Sequence, residues 1–400
     1  MLNFAFCFFF TNCNQTIKKN EVEYDGVREI DIMANISTTQ KVNLSTIASN
    51  IYYCMLETDR KCLVANMAIY CSKDFVVTIG DNCYVFDRKT GNFIRQISRK
   101  GQGPGDYTET ISSFWDEYNE QICLYGNMQF LFYNLDGTLS HKANRFTHKI
   151  NQFVSFEHFF VGYVPNLLGN AKIRIAYYDK TGAIVDSIPN YRSWKRTRPS
   201  YGGSLDGWLY ISQDSLYYKD IYCDTLYYVD GITLQPRYIF NTNNQAPPYE
   251  MQEGGRYDIL AASRNGGIFV DRYEKYFCIF YILEGKENIY FPIEYRQKLY
   301  PSVYNKIENK LQIMPPVPIP PKKGIHTERI KRFGFNNDLD GGLPFWPQQM
   351  ISDKEMMCVY TAEELLELDS SKITDEKLKN ILKNLKEDDN PVVAIVALKD

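Results

Sequence analysis

A short hairpin recurs along this chain at nearly constant spacing, and that repetition restricts the fold more than any other feature. Residues 84–87 have strand character, 88–91 turn and 92–97 return; the same form recurs at 131–139, 174–188 and 225–239. Each copy carries an aromatic residue before the turn, an Asp at it and a Gly that closes it. The Asp side chain caps the turn, and Gly takes the positive φ that other residues resist. The closing glycines 91, 137, 182 and 231 stand 46, 45 and 49 residues apart, and a weaker copy centres on Glu284 and Gly285, a further 54 on.

Periods of about 40 to 50 residues with several short strands each point to a β-propeller. The chain from about 40 to 400 holds about seven such intervals, or six when one is lengthened by insertions. Six is the expected number. The ring would close when strands from the two chain ends share a blade, with residues 392–398 as the buried closing strand. The competing architecture, two β-sandwiches joined by a linker, has no reason to keep a constant period. Composition agrees: aromatic residues make 15% of the chain, 31 Tyr and 24 Phe among them, and these favour half-buried pleated surfaces. A net charge of −3 removes the electrostatic basis for nucleic-acid binding.

The start of the chain has the look of a targeting segment. Residues 2–10 are apolar apart from Asn3, too short to span a bilayer but suited to a secretory signal, and Cys13 follows. A cysteine there is similar to a bacterial lipoprotein signal, whose thiol is acylated, although Phe10, Thr11 and Asn12 depart from its preferred residues. The alternative is an apolar N-terminal strand of a cytosolic protein. The expectation is a signal-like tether at 1–20 and one all-β domain at 21–400, a six-bladed propeller with a small helical insertion near the C-terminus.

Two segments interrupt the beat. Residues 314–323 (MPPVPIPPKK) are Pro-rich and suit an extended connection outside the ring, not a central strand. Thr361-Ala-Glu-Glu364 is a capping box ahead of Leu365, Leu366 and Leu368, and Thr374 is placed to cap a second amphipathic helix. Both helices would belong to the final blade, packed on the propeller.

The segment Arg99-Lys100-Gly101-Gln102-Gly103-Pro104-Gly105-Asp106-Tyr107 resembles the signature of an uncharacterised six-bladed propeller family of Bacteroides-type bacteria, many of whose members carry lipoprotein signals. Phe86-Asp87 with Gly91, and Asn390-Pro391 before an apolar strand, fit the same pattern. The resemblance covers residues 40–160 well, the last thirty moderately, and 190–350 only through the general beat. It implies a TolB-like or NHL-like scaffold and carries no catalytic set with it; fold analogy does not identify a site.

Candidate chemistries are therefore weighed on the residues alone. The Gly101 to Gly105 loop lacks the P-loop pattern and reads as a turn between blades; if it faces the axial channel, Arg99, Lys100, Gln102 and Tyr107 become ligand contacts. Asn336-x-Asp338-x-Asp340-Gly341 imitates a calcium loop, but Pro347 stands where the bidentate Glu belongs. Gly202-Gly203-Ser204-Leu205-Asp206 misses the nucleophile elbow, and the histidines at 141, 148, 158 and 326 have no zinc spacing. The eight cysteines from 54 onwards form no C-x-x-C pair and suit strand packing, with a disulfide open in an oxidising compartment. The segment 191–199 is densely basic and aromatic: Tyr191, Arg192, Trp194 and Arg196 could contact an acidic sugar or a phospholipid head, or else cover a blade edge.

The expected function is a non-catalytic binding protein of the cell envelope, lipid-anchored at Cys13, monomeric and without cofactor, whose partner is a protein or a glycan. Its rival is a metal-dependent lactonase or lyase with three or four ligands converging in the axial channel.

Overall fold

The computed structural model describes residues 26–64, 68–80, 82–99, 101–103, 106–107, 112–126, 129–144, 146–148, 150, 152–197, 207–258, 268–322 and 329–399. Six twisted sheets form a ring. Blades 1 to 4 are four-stranded antiparallel meanders over 68–99, 112–144, 152–189 and 207–241, and blade 5 spans 283–318. Blade 6 is composite. Gln349–Ser352, Glu355–Tyr360 and Val392–Leu398 supply its inner three strands, and Ala48–Met55, from the other end of the chain, supplies its outer one. The closing register runs from Ala48 opposite Leu398 to Met55 opposite Val392.

Burial explains why the closing strand is continuously apolar. Val392, Ala394 and Val396 pack between blades 5 and 6, while Val393 and Ile395 pack between blades 6 and 1. Both faces of the strand are therefore core, and a strand buried on both faces needs no polar alternation. Equivalent clusters fill the other four blade junctions, and the aromatic residues that precede the turns are prominent around the ring: Phe86 between blades 6 and 1, and Tyr133, Tyr178 and Tyr228 in three of these four. Inner strands are also clasped by side-chain amides. Gln152 exchanges two hydrogen bonds with the backbone of Leu209, both 2.8 Å, and Gln349 does the same with Cys71 at 2.8 and 2.9 Å.

The repeating turns join the third and fourth strands of blades 1 to 4. Asp87 Oδ1 accepts from the backbone and hydroxyl of Thr90, Asp136 does so from Thr138, and Asp179 from Thr181. A Thr two or three residues after the Asp is thus part of the turn chemistry. Glu284 and Gly285 do not continue the series: Glu284 ends the first strand of blade 5 and Gly285 begins its connection to the second. The equivalent turn of blade 5 lies between Asn305 and Lys310. There Asn305 caps the backbone of Ile307 and Glu308, and Asn309 takes the left-handed conformation at φ 52°.

The Pro-rich segment begins as part of blade 5, where Val317–Pro318 pairs with the start of Lys298–Asn305 and extends the outer strand Lys310–Ile313. Among the described residues, three short α-helices lie off the sheets: α1 (Ile32–Asn35), α2 (Ala362–Leu366) and α3 (Glu376–Asn384). The capping box of α2 forms as read, but Asp375, not Thr374, caps α3 by accepting from Leu378 N. Leu365, Leu368, Leu382 and Leu385 pack the helical segment onto the core between blades 5 and 6.

Antiparallel meanders sort the connections onto two faces. First-to-second and third-to-fourth turns emerge on one, here the turn face; second-to-third loops and blade-to-blade linkers emerge on the other, the loop face. Every turn-face connection is five residues or shorter. The long segments 190–206, 242–282, 314–348 and 361–391 all leave from the loop face. Arg28–Asp31 adds to blade 4 as a fifth strand, parallel to Thr233–Asn241, which runs from turn face to loop face. The described chain therefore begins at the turn face, where Arg28 Nη1 donates to the carbonyl of Lys306 at 2.8 Å.

Closure depends on a glycine. A Cβ on Gly91 would stand 1.6 Å from the carbonyl oxygen of Met55 in the closing blade, whereas one on Gly231 meets nothing within 4 Å. Both have positive φ. Gly91→Ala should cost more than about 3 kcal/mol of stability and Gly231→Ala only about 1–2 kcal/mol, compared by thermal and urea unfolding. Equal losses would contradict the close approach at the closure.

Candidate functional site

Six apolar clusters occupy the blade junctions; a seventh does not. It lies on the loop face and joins Trp194, Ile221, Tyr222, Tyr249, Tyr273 and Cys278, drawn from the 190–206 linker, the second-to-third loop of blade 4 and the 242–282 insertion. The insertion is pinned to blade 5 by Arg256, whose guanidinium grips Asp271 through Nε and Nη2 (3.0 and 2.6 Å) and Glu294 through Nη1 (2.6 Å). Burial opposes the charge on Arg256, but those carboxylates outweigh it and hold its pKa above the ordinary value.

A polar network threads this cluster. Trp194 Nε1 donates to the carbonyl of Asn166 at 2.9 Å and to Gln252 Oε1 at 3.1 Å. Asn166 Nδ2 donates to Tyr249 Oη at 3.0 Å, and Arg174 Nη2 reaches the same oxygen at 3.3 Å. Tyr222 and Tyr273 share a hydroxyl contact at 2.7 Å. Arg192 lies on the Tyr249 ring, 3.9 Å from its centroid. Here Gly169 permits a close approach: at φ +82°, a Cβ would stand 2.1 Å from the carbonyl oxygen of Trp194.

The residues singled out in the sequence fall into three groups. Tyr191 is 89% exposed, Arg192 is half-buried, and Arg196 and Gln102 are at the surface. Trp194 and Tyr107 are core residues instead. Trp194 holds the network together, and Tyr107 packs between blades 1 and 2 while donating its hydroxyl to the carbonyl of Gly80 at 3.2 Å. Cys13, Lys100 and the side chain of Arg99 lie outside the described residues. The glycine loop closes on Asp106, whose Oδ2 accepts from Gly103 N at 2.9 Å, so that carboxylate fills the space a phosphate would need.

The imitation calcium loop spends its carboxylates on the protein itself. Asp338 accepts from the backbone and hydroxyl of Ser45, and Asp340 from Tyr53 Oη and Gly342 N. Among the described residues, no three His, Cys, Asp or Glu side chains gather as a metal-binding group. The eight cysteines are free, and seven are buried; burial pushes the thiols of Cys54, Cys71, Cys278 and Cys358 up to about 12. Cys54, Cys71, Cys83, Cys123 and Cys358 sit in strands, whereas Cys62, Cys223 and Cys278 sit in loops.

Residues 27–397 match the family described as Domain of unknown function (DUF4934). The chain belongs to that family. No curated protein matches. This DUF4934 chain is similar in fold to the "Putative exported protein" from Bacteroides fragilis, at 19% identity and TM-score 0.64, over 94% of this chain and 100% of that one. A DUF4221 family member from Bacteroides vulgatus is similar at 12% identity and TM-score 0.51, over 88% and 97%.

Sequence reasoning missed Arg174, Asn166, Tyr249 and Gln252, which carry the DUF4934 chain's loop-face network. Asn166 comes from the second-to-third loop of blade 3, Arg174 from the strand that follows it, and Tyr249 and Gln252 from one turn of the 242–282 insertion, and they share no local pattern. Trp194→Ala should destabilise by about 3–5 kcal/mol through the lost core volume, while Tyr191→Ala should stay within about 0.5 kcal/mol. Equilibrium unfolding of both variants checks the division between framework and surface.

Proposed function

We propose that this DUF4934 chain is a non-catalytic binding protein of the bacterial cell envelope, meeting a protein partner or a glycan on its loop face. One observation carries the reading: every long connection is built on that face, and the described chain begins on the other. Binding residues concentrate on loops held by a rigid scaffold. A segment of 31 residues, 361–391, is capped and packed there by α2 and α3, and 242–282 is pinned there by Arg256.

The envelope location is supported by the fold shared with the exported Bacteroides fragilis protein and by the apolar run before Cys13. On this reading Cys13 carries the lipid. Twelve residues separate it from Gly26, a tether of at most roughly 45 Å when extended. The propeller then hangs from its turn face, and the loop face is directed away from its own membrane.

Photo-crosslinking in intact cells tests the proposal. A benzophenone side chain placed at Leu168 or Tyr191, exposed on the loop face, should give a discrete adduct. The same group at Tyr118 or Ile307, exposed on the turn face, should not. Adducts from the turn face alone, or from neither face, would overturn it.

A further inference from the structure

Beneath the loop face two arginines share one carboxylate. Arg174 is the second residue of the third strand of blade 3 and Asp220 ends the second strand of blade 4, which brings both to the loop-face rim of their sheets. Arg174 Nη2 stands 3.3 Å from Asp220 Oδ2, and Arg192 Nη1 stands 3.1 Å from the same oxygen. The other oxygen, Oδ1, accepts from Tyr222 N at 2.7 Å. One carboxylate cannot neutralise two guanidinium groups. Lys219 does not redress the balance, since it faces the carbonyls of Asp220 and Cys223, both at 2.6 Å, and is offset by Asp224 nearby. Among the described residues, one positive charge remains in excess.

The hydrogen bonds are short of acceptors in the same place. Arg174 is only 5% exposed, yet among the described residues its Nη1 meets no acceptor; Gln252 is fully buried, and among the same residues its Nε2 meets none either. A buried donor left unmade is costly, and more so on a charged group. Both residues belong to the network that runs through Tyr249, Asn166 and Trp194. The arrangement asks for an oxyanion.

Arg192 offers the way in. Its side chain is 37% exposed, and it is held before any ligand arrives by Asp220, by the Tyr222 carbonyl at 3.0 Å and by the face of Tyr249. A planar guanidinium fixed in this way binds a carboxylate with little loss of freedom. The neighbouring residue, Tyr191, presents an exposed aromatic ring.

We propose that Arg192, backed by the buried charge of Arg174, forms a recognition site for the carboxylate of an acidic sugar, with the Tyr191 ring as a platform for the sugar ring. This rests on the loop-face reading above, and it names the ligand class. A phospholipid head of the protein's own membrane is the weaker fit, because the tether leaves from the opposite face.

Titration calorimetry on the folded chain tests it with trigalacturonate, a glucuronate-bearing oligosaccharide and sialyllactose. Methyl-esterified trigalacturonate and phosphatidylglycerol vesicles serve as controls. At least one acidic sugar should bind, and its ester, where made, should bind at least tenfold more weakly. Arg192→Ala should lower affinity at least tenfold, Arg192→Lys should fail to restore it, and Tyr191→Ala should weaken binding without altering the melting temperature. Binding that ignores the ester or the Arg192 variants, binding to vesicles instead of sugars, or no binding of any acidic sugar would overturn the site. A loop-face crosslink that survives Arg192→Ala would sink this proposal while leaving the binding face intact; loss of all loop-face crosslinks in the parent chain would sink both.

Discussion

The pairing of Ala48–Met55 with Val392–Leu398 holds the two ends of the chain in one sheet, and the ring exists only while that pairing lasts. Each blade is a small sheet with two apolar faces, unable to bury either without a neighbour. Blade 6 supplies the neighbour for blades 5 and 1 at once. The residues of its third strand, all fully buried from Val392 to Val396, alternate between those two junctions. At roughly 1.5–3 kcal/mol for each large apolar side chain fully buried, this one strand contributes a sizeable share of what closes the ring. Gly91 lets the first repeating turn approach the end of the Ala48–Met55 strand, and Glu57 N donates to the Gly91 carbonyl at 2.8 Å to fasten it.

A closed ring fixes the two faces with respect to each other. The turn face is made of short, side-chain-capped turns with little room for variation. The loop face receives everything the sheets do not need, and the seventh apolar cluster turns that excess chain into an ordered surface. Burial of Trp194 sets the position of Arg192, because the two stand two residues apart on a linker anchored by Trp194 Nε1. The buried Trp194 and the half-exposed Arg192 are thus mechanically joined: one is hidden and the other is held still.

Much of this was legible in the sequence, and what was not has a physical cause. The Asp and Gly turns of blades 1 to 4 could be read because capping and positive φ are local demands. The fifth turn escaped because Asn305 and Asn309 meet the same demands with a different residue type. The 242–282 insertion before blade 5 also broke the period. In the candidate site, the dense segment from Tyr191 to Arg196 stood out, yet composition could not tell a surface Tyr191 from a buried Trp194. Tyr107 was misplaced for the same reason: an aromatic beside a glycine loop serves a core or a surface equally well until its neighbours are known. Arg174, Asp220 and Gln252 are strand-end or loop residues with unremarkable neighbours, brought together only by ring geometry.

The central claim is that the faces differ in direction as well as in build, with the turn face towards the membrane and the loop face away from it. Energy transfer from a dye placed in the bilayer measures this on the lipid-bearing protein reconstituted in vesicles, with a single donor introduced by amber suppression at Ile307 or at Tyr191. Transfer should be strong from Ile307 and weak from Tyr191. Equal transfer from the two positions, or stronger transfer from Tyr191, would contradict it.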